Sequence, residues 1–135
     1  MKRGFKSVSL AGLFAALADT TRLRLLNLMA GREVCVCYFV EILGQSQPKI
    51  SRHLAYLRKA GIVAARREGK WMHYSICPVA DATAAILNAA LAALGNNRQM
   101  RADRAKLARA CCAPQSRLVP DSAPRPAPIN PRSSP

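Results

Sequence analysis

The chain has few acidic and few aromatic residues. Of its 135 residues only 7 are Asp or Glu, against 21 Lys and Arg, and the formal net charge is +14. A charge this large on a small protein favours a polyanionic partner, and nucleic acid is the first candidate. Aromatic residues make up 5% of the chain, so Leu, Ala, Val and Ile must fill most of the single modest core that 50% apolar residues allow.

Long apolar runs are also missing. No uncharged stretch reaches the roughly 18 residues that a membrane span requires, and the basic N-terminus leads into a helix without a clear cleavage site. We therefore predict a cytoplasmic protein that does not contact membranes. The two histidines, His53 and His73, have no Asp or Ser arranged for catalysis, and no cysteine has a paired base. These absences predict that the chain is not an enzyme.

Five cysteines, an odd number, do not form a disulfide framework. They occur as Cys35-x-Cys37, a lone Cys77 and the adjacent pair Cys111-Cys112. Because cysteines that are close in sequence rarely form structural disulfide bonds with each other, reduced thiols available for ligation or redox chemistry fit this pattern better. For Cys77, next to Pro78 at a strand end, a small buried apolar residue is the favoured interpretation.

Periodicity and capping residues predict a mostly α protein with a small β-hairpin. Asp19 is a good N-cap, Gly44 and Gly61 stop helices, and Pro48 suits a first helical position. Leu25 and Leu28 should extend an apolar surface toward a neighbour. The predicted helices cover 8–18, 20–30, 35–43, 48–60, 78–94 and 98–110, and the predicted strands cover 62–67 and 71–77.

This order predicts a homodimeric winged helix-turn-helix. Residues 82–94 are apolar almost all round, which is typical of a helix packed between two subunits. Helix-turn-helix proteins also usually bind DNA as dimers. Residues 1–112 would form the DNA-binding and dimerisation domain, ending in the Cys-Cys helix. Seven of the nine prolines fall in 113–135, which we predict to be a disordered tail.

The fourth helix and the hairpin carry the candidate DNA contacts. Arg52 can reach guanine and Gln47 adenine, while Lys49 and Ser51 can hold phosphates. His53 is interpreted as a further polar contact. On the predicted wing, three basic residues would contact the DNA backbone or minor groove: Arg66, Arg67 and Lys70.

Four blocks together resemble the ArsR/SmtB family, and within it the arsenic-responsive repressors. They are Leu17-Ala18-Asp19-Thr20-Thr21-Arg22-Leu23, Glu33-Val34-Cys35-Val36-Cys37, residues 45–57, and Gly69-Lys70-Trp71-Met72-His73-Tyr74. The resemblance covers about residues 10–80. It implies a cytosolic homodimer that leaves operator DNA when a metal or metalloid binds. Arsenic sensors of this type have Cys-Val-Cys-Asp-Leu-Cys, but Val40 stands here in place of the third cysteine. The family's zinc site is absent, because no histidine follows His73.

Trivalent arsenic and antimony are thiophilic and favour three sulfur ligands, and thiolates select soft ions. We predict Cys35 and Cys37 as ligands of As(III) or Sb(III), with a third sulfur from Cys111 or Cys112, and no constitutive cofactor. On an intact helix Cys35 and Cys37 would face opposite ways, since residues two apart differ by about 200°. Coordination is therefore expected to require unwinding of the start of that helix.

Three other functions compete with an arsenic-released repressor. The same fold could use its thiols as a redox or persulfide switch. A thiol-based enzyme or metalloid carrier would leave the helix-turn-helix unexplained. A non-specific DNA-coating protein would fail to discriminate operator from random duplex.

Overall fold

The first two helices begin at side chains that cap them. In the computed structural model, which describes residues 8–112, 124 and 126–128, α1 spans Leu10–Leu17 and α2 spans Thr20–Met29. The Ser9 hydroxyl accepts the Gly12 backbone N–H at 3.0 Å, and the Asp19 carboxylate accepts that of Arg22 at 3.0 Å. The predicted cap at Asp19 is confirmed.

The helix-turn-helix consists of α3, Val36–Leu43, and α4, Gln47–Lys59. Gly44 ends α3 with φ 66°, a left-handed conformation that glycine adopts without steric cost. The Ser46 hydroxyl then accepts the Lys49 backbone N–H at the start of α4. Along α4, Ile50, Leu54 and Leu57 are all buried, as their i, i+4 and i+7 spacing predicts.

The wing is a hairpin of β2, Val63–Glu68, and β3, Trp71–Ile76, joined through Gly69 at φ 59°. A strand that the sequence analysis did not predict, β1 at Arg32–Cys35, pairs antiparallel with β3 on its other side. The two-residue β4, Ala127–Pro128, pairs with the outer edge of β1, so the sheet order is β2-β3-β1-β4. The wing was predicted correctly, but the sheet to which it belongs is larger than a hairpin.

The last two helices are α5, Asp81–Leu94, and α6, Arg98–Cys112. Helix α6 packs on α2 and α3, and its Leu107 and Ala110 belong to the main core. Leu25 and Leu28 of α2 are 0% and 1% exposed, so the apolar surface that they were expected to extend toward a neighbour is covered within the domain. Helices α5 and α6 both contact α2, an arrangement that helix periodicity alone does not reveal.

Two predictions about the ends of the chain remain open. Most of the tail predicted to be disordered, 113–135, lies outside the described residues. The disorder of the tail and the domain boundary at 112 therefore remain predictions. Within the described residues, no helix is both long and apolar enough to cross a bilayer.

Candidate functional site

Cys35 and Cys37 lie where β1 meets α3. Cys35 is the last residue of β1 and the N-cap residue of α3, and Cys37 is in the first turn of α3. The Cys37 thiol donates a hydrogen bond to the Cys35 sulfur, and the two sulfurs are 3.3 Å apart. The two thiols therefore form a pair.

This geometry corrects the expectation that the two thiols face opposite ways. That expectation placed Cys35 inside the helix, whereas its φ and ψ of −71° and 144° are those of extended chain. The rotation of about 100° per residue applies only between residues that are both helical. A soft ion can therefore contact both sulfurs without unwinding α3.

The hydrogen bond between the thiols also polarises the pair. It lowers the pKa of Cys35 to about 6, against the effect of burial, with help from the Cys37 backbone N–H and from the nearby His73. The same hydrogen bond, together with burial, raises the pKa of Cys37. These opposite shifts favour a thiolate at Cys35 beside a thiol at Cys37, and thiolate is the form that binds soft ions and attacks electrophiles.

A group of charged side chains lies beside the thiols. Arg66 of β2 donates two hydrogen bonds to the Glu33 carboxylate, at 2.6 and 3.0 Å. His73 of β3 is 4% exposed, and its Nε2 is 3.0 Å from Oε1 of Glu68. This group could not be predicted from the sequence, because Glu33, Arg66 and His73 are distant along the chain and meet only through the sheet.

The remaining cysteines are distributed as follows. The backbones of Cys111 and Cys112 form the end of α6, but their side chains lie outside the described part of the structure, so a third ligand from this pair stays a prediction. Cys77 is half-buried and lines a groove between α4 and β2, beside Ala55 and Ala64. Among the residues described, no group of three or more His, Cys, Asp or Glu side chains could hold a metal ion.

The predicted DNA contacts on α4 form an exposed face at its N-terminal end. Gln47, Lys49 and Arg52 are exposed, and Ser51 is half-buried. His53 is turned toward the protein, with its Nδ1 3.4 Å from the Arg22 guanidinium. A DNA contact by His53 would compete with that interaction.

On the wing, Arg67 and Lys70 are exposed, and the Lys70 ammonium lies 5.1 Å from the centre of the Trp71 ring. Arg66 has a side chain that is 52% exposed but is held by Glu33. The ion pair and a phosphate would compete for the same guanidinium. Of the three predicted wing contacts, Arg67 and Lys70 are therefore exposed without the bidentate ion pair that holds Arg66.

Arg22 connects α1 and α2 to α4, and no role was predicted for it from the sequence. Its guanidinium donates to the carbonyl oxygens of Ala15 and Ala16 at 3.0 and 2.9 Å, and it lies 4.1 Å from the centre of the Tyr56 ring. The interaction fixes α4 against the end of α1. Its sequence signals were its place three residues after the Asp19 cap and its position in the first of the four blocks that resemble the family.

Two helices joined by a tight turn and followed by a two-stranded wing define a winged helix-turn-helix protein. Residues 19–65 match the family described as bacterial regulatory protein, arsR family. An uncharacterised HTH-type transcriptional regulator of Methanocaldococcus jannaschii is 49% identical over 67 residues, which cover 49% of this chain and 75% of that relative. The chain belongs to the ArsR family of bacterial regulatory proteins, and the resemblance in the sequence is confirmed.

Other similar proteins agree with this assignment. The arsenical resistance operon repressor of Escherichia coli K12 is 51% identical over 74 residues, 54% of this chain and 63% of the repressor. The chain thus aligns with less than two thirds of that repressor. Among solved structures, Mycobacterium tuberculosis Rv0081 is 36% identical with a TM-score of 0.53, over 67% of this chain and 90% of that one.

Proposed function

We propose that this protein is a transcriptional repressor of an arsenic-resistance operon. In this proposal it binds operator DNA as a cytoplasmic homodimer and leaves it when arsenite, methylarsenite or antimonite binds its cysteine thiolates. It needs no constitutive cofactor and catalyses no reaction. The observation that carries the proposal is the 3.3 Å contact between Cys35 and Cys37 at the head of the helix-turn-helix.

The thiol pair is coupled to the DNA-binding helix through the core. Phe39 and Ile42 of α3 are buried in the same cluster as Ile50 and Leu54 of α4, and the two helices are in contact. Close-packed interiors transmit small displacements because they contain few voids. An ion that replaces the hydrogen bond between the sulfurs with its own bonds to them therefore shifts the first turn of α3 and, through this packing, α4.

A third sulfur would complete the preferred coordination of trivalent arsenic. Cys111 and Cys112 are the candidates, since they end α6 and this helix packs on α3. They would come from the same subunit or from its partner. A monomethylated arsenical has one coordination position occupied by carbon, so two sulfurs suffice for it.

The DNA-binding surface would combine the start of α4 with the wing. Gln47 and Arg52 would read base edges in the major groove, while Lys49 and Ser51 would hold phosphates. Arg67 and Lys70 would contact the backbone or the minor groove from the wing.

The homodimer would use the apolar surface of α1 and α5. Leu10 and Phe14 of α1 are 56% and 52% exposed, which is unusual for such large apolar side chains. Ala85, Ala89 and Ala92 of α5 are exposed as well. A second subunit packed on these helices would bury this surface and place two copies of α4 for successive major-groove segments.

The test is displacement of the reduced protein from a DNA fragment containing its own promoter. Arsenite, methylarsenite, antimonite, zinc and peroxide are titrated side by side, with random duplex as the specificity control. We expect release by the trivalent arsenicals in wild type and none in Cys35→Ser/Cys37→Ser. Equal binding to random duplex would contradict the repressor, and release unaffected by the double substitution would contradict the site.

The matched control for the third sulfur is Cys111→Ser/Cys112→Ser. We expect this variant to need more arsenite for release but to keep its response to methylarsenite. An unchanged arsenite titration would remove Cys111 and Cys112 from the site while leaving the Cys35–Cys37 pair in place.

A thiol redox switch is the second candidate. A cysteine with a pKa of about 6 and a second thiol 3.3 Å away is an arrangement suited to disulfide formation: peroxide oxidises the Cys35 thiolate to a sulfenic acid, and the Cys37 thiol displaces water from it. In the same titration, release by peroxide and not by the arsenicals would favour this function.

A further inference from the structure

A row of side chains connects the thiol pair to the wing across the sheet. Cys35 of β1 lies directly opposite His73 of β3, and His73 lies directly opposite Arg66 of β2. Directly opposed residues of neighbouring strands place their side chains on the same face of a sheet. The row therefore begins at the Cys35 sulfur and ends on the outer strand of the wing.

Two further residues on this face tie the row together. Glu33 is two residues before Cys35, and Glu68 is two residues after Arg66, so the alternation of side chains along a strand places both on the face of the row. Arg66 bonds Glu33 at 2.6 and 3.0 Å and lies 3.8 Å from Glu68. His73 bonds Glu68 at 3.0 Å and its Nδ1 is 4.0 Å from Glu33.

The side chains of this row are more buried and more tightly paired than charged residues on a solvent-exposed hairpin usually are. The His73 side chain is 5% exposed between two carboxylates, and the Glu33 side chain is only 24% exposed. Arg66 engages Glu33 through both Nε and Nη2, a bidentate geometry that fixes the orientation of the guanidinium. A displacement of β1 at Cys35 must therefore change the position of β2 or break these hydrogen bonds.

We propose that Glu33, His73 and Arg66 form a relay that transmits occupation of the thiol pair to the wing. Arg66 is then a positioning residue and not a phosphate contact. The relay acts beside the α3–α4 route and gives the inducer a second connection to DNA. This inference rests on the proposed function, because it assumes that a ligand on Cys35 and Cys37 weakens DNA binding.

The test uses the full-length, reduced protein and its promoter fragment, with arsenite as the probe. For each variant the dissociation constant for DNA is measured with and without saturating arsenite, and their ratio is the release factor. The variants are Glu33→Gln, Arg66→Gln and the double substitution, with Arg67→Gln as the control on the opposite face of β2. Thermal unfolding of every variant shows whether it is folded.

We expect the release factor to fall by roughly threefold or more in Glu33→Gln and in Arg66→Gln. The double variant should fall no further than the single ones, because both substitutions break the same connection. Arg67→Gln should keep the wild-type release factor but weaken DNA binding without arsenite. In a plot of the logarithm of the DNA-binding constant against the logarithm of the salt concentration, its slope should be smaller in magnitude by about one. Arg66→Gln should leave that slope unchanged.

Three results would overturn the relay. The first is a wild-type release factor in both Glu33→Gln and Arg66→Gln. The second is a loss of salt dependence of DNA binding in Arg66→Gln that equals the loss in Arg67→Gln. Either would leave the proposed function standing, since wild type would still respond to arsenite. The third, a wild-type complex that is indifferent to arsenite, would overturn the proposed function and the relay together.

Discussion

Replacing Arg24 by alanine should destabilise the protein more than any surface charge substitution. Arg24 of α2 donates two hydrogen bonds to Asp103 of α6, at 2.8 and 3.0 Å, and Gln99 donates a third at 3.0 Å. The Asp103 side chain is 0% exposed and that of Arg24 is 15% exposed. The ion pair is therefore almost fully withdrawn from water and joins the last helix to the body of the domain.

The magnitude follows from this burial. Removing one partner of a buried ion pair leaves an uncompensated charge, which costs about 3–5 kcal/mol. Small domains have total stabilities of roughly 5–15 kcal/mol, so Arg24→Ala should remove a large share. Replacing both partners by apolar residues, as in Arg24→Met/Asp103→Leu, should recover most of the loss because no charge remains buried.

Urea unfolding at one fixed protein concentration measures these changes, because the apparent stability of the proposed homodimer would depend on concentration. Arg66→Ala is the matched control, since its ion pair with Glu33 is half-exposed on the arginine side and should be worth less than about 1 kcal/mol. A loss for Arg24→Ala as small as that of the control would refute the argument from burial.

The same variant also bears on the third sulfur. The Arg24–Asp103 pair fixes α6, the helix that ends in Cys111 and Cys112. If one of these cysteines completes the arsenite site, loosening α6 should weaken arsenite binding while Cys35 and Cys37 are intact. Unchanged arsenite affinity in a folded Arg24→Ala variant would indicate that α6 plays no part in the site.

Three shorter predictions concern the head of the helix-turn-helix and the capping of the domain. The ultraviolet absorbance that wild type shows in excess of Cys35→Ser reports the Cys35 thiolate, and it should rise with pH around a midpoint of about 6 because the Cys37 thiol stabilises that thiolate. In Cys37→Ala, compared with Cys35→Ser/Cys37→Ala, the midpoint should move up, and no movement would contradict this cause. Gly44→Ala should cost about 1 kcal/mol in urea unfolding, since residue 44 has φ 66°, and a neutral substitution would indicate a different turn. Asp19→Ala should cost about 1 kcal/mol through the lost N-cap bond, whereas Asp19→Asn, which keeps an acceptor, should cost clearly less; equal losses would point to charge instead of capping.

Much of the fold could be predicted because its signals are local. Helix α4 has a capping serine, a proline at its start and apolar residues at i, i+4 and i+7, and each of these acts within a turn or two of the chain. The wing was marked by two β-rich runs around a glycine turn. The exposed basic residues Lys49, Arg52, Arg67 and Lys70 were found in the same way, because a helix or hairpin with one apolar face leaves its polar residues outside.

The sequence of α6 contains a local signal of how this helix packs. Met100, Asp103, Leu107 and Ala110 are all buried, and their spacing of three, four and three residues is that of one helix face. Asp103 is the only acidic residue of an otherwise basic helix. An acid on an apolar stripe indicates a buried cationic partner, but nothing in the sequence identifies that partner as Arg24.

The sequence by itself determined that this is a winged helix-turn-helix protein with two closely spaced thiols beside its helix-turn-helix. Only the tertiary structure decided how those thiols are arranged. β1 exists because β3 is available to pair with it, and this pairing holds Cys35 in an extended conformation that a helical pattern does not predict. The same pairing brings His73, Glu33 and Arg66 together across more than thirty residues of chain. Strand pairing depends on residues far apart in sequence, so the arrangement of the site could not be inferred from the spacing of its cysteines.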